Sequence, residues 1–280
     1  MMTEIIVMIH GMWGGGWNWE NFQQFFGGKG YHCITPTLRL HDVDPKAPPH
    51  PQLGTTSLLD YVEDLEKDIR KLDTLPILMG HSMGGLLAQI LGSRGLAKAL
   101  VLLAPAPPSP LGIMALKPSV IRGFLSPLLR WGFWRKPMRQ TFAEAAYSTM
   151  NLLTEKEQKR LYDRYVYESG RAACEIGFWF LDQKRAAQVD ESKVTCPMLI
   201  IEGSQDRIMP ASVVRKTARK YKAVATYREL PNHAHWLIVE PGWQEIAEDI
   251  ADWLNQVLTK ADESTANKAK GKRKHKHGAE

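Results

Sequence analysis

The stretch Pro76-Ile77-Leu78-Met79-Gly80-His81-Ser82-Met83-Gly84-Gly85-Leu86-Leu87-Ala88-Gln89-Ile90-Leu91 decides the fold. A short apolar run, Pro76 to Met79, passes directly into an apolar helical run, Ser82 to Leu91. Between them stands Gly80-His81-Ser82-Met83-Gly84, a G-x-S-x-G pattern. In this setting the glycines permit a tight, strained turn from strand to helix, which lifts the serine Oγ to the carboxyl edge of a sheet. Open α/β sheets place their ligands at that edge. The helix N-terminus beneath favours negative charge as it develops. The pattern alone is common in long chains. Its place between strand and helix makes Ser82 a candidate nucleophile.

A serine nucleophile needs a base, and the base needs an orienting acid. Behind this kind of turn the chain order is Ser, then Asp or Glu, then His. Downstream, Gly203-Ser204-Gln205-Asp206-Arg207 follows a strand that ends near Glu202. Asp206 is thus the candidate acid, in a loop at the carboxyl end of that strand. Glu202 is its rival, though a place at the strand end suits a structural role better. The base lies in Leu230-Pro231-Asn232-His233-Ala234-His235-Trp236, where His233 and His235 stand two apart. An extended stretch would point both the same way, so spacing alone leaves the two open. His10 and His81 flank the first strand and the nucleophile, where either could hydrogen-bond the backbone.

Acyl transfer also requires backbone N–H donors where negative charge develops. One comes from the residue after the nucleophile, Met83. The other comes from the loop after the first strand, here His10-Gly11-Met12-Trp13-Gly14-Gly15-Gly16-Trp17, with Met12 as the donor. The glycines of this loop and of the turn, Gly11, Gly80 and Gly84 among them, let the backbone approach a ligand closely. The loop lacks the G-x-G-x-x-G spacing and the acidic partner of a dinucleotide site.

Outside the turn, apolar β-branched runs alternate with helical stretches. Strands are expected at Glu4 to Ile9, Tyr31 to Leu38, Pro76 to Met79, Ala97 to Leu103, Met198 to Glu202 and Val224 to Leu230. Thr55 to Leu72 follows helical spacing, with Thr55 or Thr56 as its cap. Trp243 to Leu258 closes with an amphipathic helix. Such alternation implies a mostly parallel α/β sheet covered by helices, and near-continuous apolar strands are those buried on both faces. Residues 106–195 break the rhythm and read as a mostly helical insertion, since long insertions often serve as lids. The expected organisation is a core of residues 1–105 and 196–258, a helical cap at 106–195, and a basic tail at 259–280.

The chain has 280 residues with 44% hydrophobic and 24% charged. That excludes a wholly disordered chain, a collagen or a small disulfide scaffold. Cys33, Cys174 and Cys196 are odd in number and far apart, which argues against a disulfide framework or a zinc site. The N-terminal stretch lacks a basic leader, and no apolar run approaches the length of a membrane span. A cytoplasmic location is therefore expected. Of the formal net charge of +6, the tail supplies most, with seven Lys and Arg against three acids from Thr259 onward. The basic balance thus says little about nucleic acid, and no specific nucleic-acid partner is expected. The tail is nearly free of apolar residues and is expected to be disordered. It and the cap could touch anionic surfaces weakly.

In the order HGMWGGGW, GHSMGG, GSQD, NHAHW, the chain resembles the α/β-hydrolase superfamily over residues 4–258. The stretch around Trp17 and Trp19 looks like the esterase and hydroxynitrile-lyase-like branch. The chain also resembles proteins labelled lysophospholipase-like or monoacylglycerol-lipase-like. The resemblance implies Ser82 as nucleophile, Asp206 as acid and His235 as base. His235 is chosen because members commonly carry Gly-His where this chain has Ala234-His235. It also implies that residues 106–195 are the cap inserted after the sixth strand. Serine at the nucleophile separates the chain from the dehalogenases and epoxide hydrolases of this fold, which use Asp there. A serine triad implies acyl transfer from a small-molecule ester, with no metal and no organic cofactor.

From Lys117 to Arg139 there are six bases and no acid: Lys117, Arg122, Arg130, Arg135, Lys136 and Arg139. Phe124, Leu125, Leu128, Leu129, Trp131, Phe133 and Trp134 lie among them. This cationic amphipathic stretch reads either as a cap helix with a solvated basic face or as a lid that touches anionic lipid. The run Phe178-Trp179-Phe180 reads first as packing and second as a pocket wall. Together they favour an apolar acyl pocket. The expected function is a carboxylic ester hydrolase acting on an acylglycerol or lysolipid-like substrate. A cofactor-free lyase or perhydrolase on the same triad, or a non-catalytic ligand receptor, are the alternatives, since one fold hosts many chemistries.

Overall fold

In the computed structural model, residues 3–111 and 117–276 are described, with side chains up to residue 259. The strands in chain order are β1 (Ile5–Ile9), β2 (His32–Ile34), β3 (Ile77–His81), β4 (Ala99–Leu103), β5 (Pro137–Met138), β6 (Glu168–Ser169), β7 (Met198–Gly203) and β8 (Ala225–Leu230). Six of them form one sheet in the order β2-β1-β3-β4-β7-β8. Every neighbouring pair in that sheet is parallel.

Period-two alternation divides the apolar strands between two cores. Val7 and Ile9, Leu100 and Leu102, and Met198 and Ile200 face one side. There they meet helices α2 (Leu58–Ile69), α3 (Met83–Ser93) and α9 (Ala211–Lys220). Ile6 and Met8, Val101 and Leu103, and Leu199 and Ile201 face the other. There they meet α1 (Glu20–Gly28) and α10 (Trp243–Lys276). Both faces are covered, which is why the strands read as unbroken apolar runs.

Helix α2 shows how the local sequence sets a boundary. Ser57 is its N-cap: the Ser57 hydroxyl accepts from Leu59 N, and the Asp60 carboxylate accepts from Ser57 N at 2.7 Å. Such a cap contributes about 1 kcal/mol. Thr55 and Thr56, expected as caps, instead end a preceding 3-10 turn, where both hydroxyls donate to Gln52 O. Helices α1 and α9 were not anticipated. The first is dominated by aromatics, with Phe22 and Phe26 buried, and the second buries only small and β-branched residues, Val213, Val214, Thr217 and Ala218.

The insertion leaves the sheet after β4 and returns at β7. It therefore follows the fourth strand counted along this chain. It holds short helices α4 (Pro118–Gly123), α5 (Leu125–Leu128), α6 (Phe142–Ser148), α7 (Glu155–Tyr162) and α8 (Gly170–Gly177), and the antiparallel pair β5–β6. Helix α10 runs past Leu258 to Lys276 in its backbone. The expected disordered basic tail falls there, and its side chains from residue 260 lie outside the described ones. Among the described residues no helix is long and apolar enough to cross a membrane.

Candidate active site

Ser82 sits between β3 and α3 with φ 55° and ψ −121°. A side chain other than glycine rarely adopts a positive φ, and it persists only where the surroundings over-determine it. Here they do. Ser82 N donates to Leu103 O on β4, and Ser82 O accepts from Gly85 N and Ala106 N. The turn passes so close to β1 that a Cβ on Gly84 would collide with the Ile9 carbonyl. A Cβ on Gly11 would stand 2.8 Å from Ser82 Cβ, so the loop after β1 can lie against the serine only as glycine.

Two N–H groups flank this point. Met83 opens α3, where first-turn N–H groups have no partner within the helix. Met12 follows Gly11 in the loop after β1. Among the described residues neither N–H has a protein acceptor. His10 fixes the loop. Its Nε2 accepts from Leu38 N at 3.0 Å, so its Nδ1 carries the proton and donates to Gly11 O at 2.7 Å. In a trans peptide the N–H points opposite to the C=O, so this bond turns Met12 N–H away from His10. Burial, then the nearby His41, lowers the His10 pKa to about 3, which keeps the ring neutral.

Asp206 lies in the loop after β7. Its Oδ1 accepts from Ile208 N and Met209 N, both at 2.7 Å, and its Oδ2 accepts from His235 Nδ1 at 2.7 Å. Three donors hold the carboxylate with both oxygens used. The Nδ1–H tautomer leaves His235 Nε2 as an acceptor. His235 and Ser82 line one cavity together with Gly11, Met12 and Trp236. Of the two histidines left open by spacing, His235 meets Asp206. His233 faces Glu240 instead, with Nδ1 3.4 Å from Oε2.

The segment carrying His235 is clamped on three sides. His81 Nε2 donates to His235 O at 2.8 Å. Burial, then His235 itself, lowers the His81 pKa to about 3. Glu240 accepts from Ala234 N at 2.8 Å and from Trp236 N at 2.9 Å. Glu240 was not anticipated. Its signal in the sequence is a single acid in the apolar run Trp236-Leu237-Ile238-Val239-Glu240, where a carboxylate needs donors to be tolerated. Glu202, the rival acid, does not reach His235. It is fully buried at the end of β7 and both carboxyl oxygens lack a partner among the described residues. Burial, then the neighbouring Asp206 charge, pushes its pKa well above the ordinary 4.5.

An apolar cavity adjoins the serine. Ser82 and Met12 line it together with Phe124, Leu128, Phe133 and Phe178 from the insertion. Phe178 thus belongs to the pocket, not to a packed core, and Phe180 is about half exposed. Among the described residues no group of three or more His, Cys, Asp or Glu could hold a metal ion. All three cysteines are free.

With an all-parallel sheet, a strained serine elbow and an inserted helical cap, the chain belongs to the alpha/beta hydrolase family, whose model matches residues 6–249. It is similar in structure to a monoacylglycerol lipase of Paleococcus ferrophilus, with TM-score 0.66 and 23% identity over 90% of this chain and 95% of that one. It is similar also to a pyrethroid hydrolase of Sphingobium faniae JZ-2, with TM-score 0.66 and 17% identity over 91% and 98%. A methylesterase of Arabidopsis gives TM-score 0.67 and 12% identity over 90% and 99%. At these identities the likeness is one of fold. No curated protein matches the chain.

Proposed function

We propose that the protein is a serine hydrolase that cleaves carboxylic esters with an apolar acyl group, through an acyl-enzyme. The observation that carries the reading is the Asp206–His235 bond, which leaves His235 Nε2 as an acceptor in the cavity that holds Ser82. The apolar wall beside the serine supports an acyl chain over a sugar or a charged group. That the neighbouring folds carry the names lipase, pyrethroid hydrolase and methylesterase agrees with ester chemistry.

In this reading the Ser82 oxygen attacks the ester carbonyl carbon, and its proton passes to His235 Nε2. The carbonyl oxygen takes up the negative charge and is held by Met12 N–H and Met83 N–H, with the N-terminus of α3 adding to the field. The bond to the alcohol breaks and His235 gives its proton to the departing oxygen. Water then attacks the acyl-enzyme, loses a proton to His235, and the carboxylic acid leaves as Ser82 regains its hydrogen. Asp206 keeps the Nδ1–H tautomer and stabilises the imidazolium. One such oxyanion donor is worth about 10²–10³ in rate.

The test is hydrolysis of p-nitrophenyl esters from acetate to long acyl chains, with the protein and its Ser82→Ala variant side by side. The expected result is a rate that peaks at medium or long chains and is lost in the variant. Retained turnover in Ser82→Ala would refute the nucleophile. Cleavage that releases a carbonyl compound without uptake of water would make the protein a lyase.

A further inference from the structure

The outer face of the insertion is unlike the rest of the surface. Trp131 is 85% exposed, Leu129 77% and Leu181 71%, with Leu125, Trp134 and Phe180 also exposed. A contiguous apolar patch on a globular surface signals a partner, and here ring contacts show the continuity. Trp131 meets Trp134 with centroids 5.4 Å apart, and Trp134 meets Phe133 at 5.5 Å. Phe133 meets Phe178 at 6.2 Å, and Phe178 meets Phe180 at 6.4 Å. Phe133 and Phe178 are also walls of the cavity at Ser82. One chain of rings therefore runs from the most exposed tryptophan to the pocket.

The stretch that carries Leu125, Leu129, Trp131 and Trp134 holds bases and no acid. Arg130, Arg135 and Lys136 flank Trp131 and Trp134 in the chain, and none of the three forms an ion pair among the described residues, while Arg122 lies over the Tyr147 ring. Arg39, Arg94 and Arg164, by contrast, each have a carboxylate partner. The sixth base, Arg139, is turned inward to the carbonyls of Pro45 and Tyr162. Glu175 and Asp182 line the groove beside Phe133, Trp134 and Leu181, and both, like Glu144, are engaged with the protein itself. Glu144 accepts from Ser126 N and Thr141 N, Asp182 from Lys184 N and Ala186 N, and Glu175 from Leu58 N.

We infer that this face docks on an anionic lipid bilayer, with Leu129, Trp131 and Leu181 entering the interface and the flanking bases meeting the headgroups. Exposed Trp and Leu amid Lys and Arg are the make-up of a segment that lies in the membrane–water boundary, and each base near such a surface adds attraction. The ring chain then gives an acyl chain an apolar path from the bilayer to the cavity. As a delivery route this rests on the esterase reading, whereas as a surface it does not.

The test uses the full chain carrying Ser82→Ala, so that no lipid is consumed. It is sedimented with vesicles of phosphatidylcholine alone and of phosphatidylcholine mixed with phosphatidylglycerol. Binding is expected with the mixed vesicles, falling as salt rises. Arg130→Gln should weaken it about fivefold, and Leu129→Ser with Trp131→Ser by about tenfold or more. In the chain with Ser82 intact, neither change should alter turnover of a short soluble ester, which also shows that the variants fold. No binding to mixed vesicles would overturn the inference. So would equal binding by the variants, which would assign the contact to the basic segment 259–280. Loss in the double variant of a concentration-dependent dimer, with vesicle binding unchanged, would assign the face to a second copy of the chain. Vesicle binding together with no ester turnover would uphold the surface and sink the esterase reading alone.

Discussion

Glu240 offers the sharpest test of how the candidate base is held. Its carboxylate is buried and touches no part of the substrate cavity, yet it accepts from the N–H groups on both sides of His235. Glu240→Ala would leave two buried donors without acceptors. At about 1–3 kcal/mol each, the loss comes to about 2–6 kcal/mol. Removing a carboxylate whose burial raises its pKa returns part of that, so the lower half of the range is expected. Glu240→Gln keeps one amide oxygen and turns an N–H₂ toward the other donor, at a cost of about 1–3 kcal/mol. With the clamp gone, His235 is left with Asp206 and His81 alone. Misplacement by about 1 Å can cost about 10² in rate. Urea unfolding and steady-state kinetics on a soluble ester would read both effects. The expected pattern is a lower midpoint, a kcat reduced by roughly that factor, and a KM changed little, with Gln milder than Ala. An Ala variant as stable and as fast as the parent would refute the clamp. A raised KM at constant kcat would show that Glu240 shapes the pocket instead.

Other outcomes follow from the buried ionisable groups. Glu168→Gln should cost about 3–5 kcal/mol at neutral pH, because Glu168 binds His41 at 3.1 Å and Tyr61 at 2.7 Å where none of the three meets water. Burial opposes charge on both partners, but their mutual attraction raises His41 above 6.5 and lowers Glu168 below 4.5. The His41 contribution is complete below 6.5 and lost as pH rises through the raised value, and the Glu168 contribution is complete above 4.5 and lost as pH falls through the lowered one. Thermal unfolding across pH should therefore show a plateau between the two that Glu168→Gln removes. Glu202→Gln should raise the melting temperature at neutral pH. The raised Glu202 pKa means its contribution is full below 4.5 and lost as pH rises, so the gain should vanish in acid, and an unchanged Tm throughout would contradict the assignment. His10→Ala should lower kcat on a short ester by about tenfold or more with KM unchanged, since it frees the Gly11–Met12 peptide that carries one proposed oxyanion donor.

The sheet was legible because its strands are buried on both faces and so read as apolar runs between turn residues, as in Ala99-Leu100-Val101-Leu102-Leu103. The elbow was legible because only glycine fits where the turn meets β1. Segments whose apolar residues are not spaced for one clean face escaped. Helix α1 mixes three phenylalanines and two glycines into a short run, and α9 has a basic face with only small and β-branched residues inward. The choice between His233 and His235 did not follow from spacing, because an extended stretch sends both the same way. What separates them is a long-range contact to Asp206, 29 positions apart in the chain. Glu240 escaped for a related reason. A lone acid in an apolar run has no local meaning until the donors it serves are known.

The buried carboxylates follow one physical rule. Asp206, Glu168, Glu175 and Glu240 each accept at least one backbone N–H, and each stands where two elements meet. A backbone donor carries no rotamer freedom, so a carboxylate that accepts from it fixes a loop with less loss of side-chain entropy than a surface ion pair requires. Glu168 and Glu175 tie β6 and α8 of the insertion to His41, Tyr61 and the start of α2, so the second half of the insertion is pinned to the core. The first half, α4 to Arg135, has no buried carboxylate of this kind among the described residues. Its bases face solvent, and rings rather than carboxylates tie it down, Phe124 against Trp13 and Phe133 against Phe178. Glu202 is the exception that supports the rule. It lacks any donor, and it is the one of these acids whose charge the fold strongly opposes.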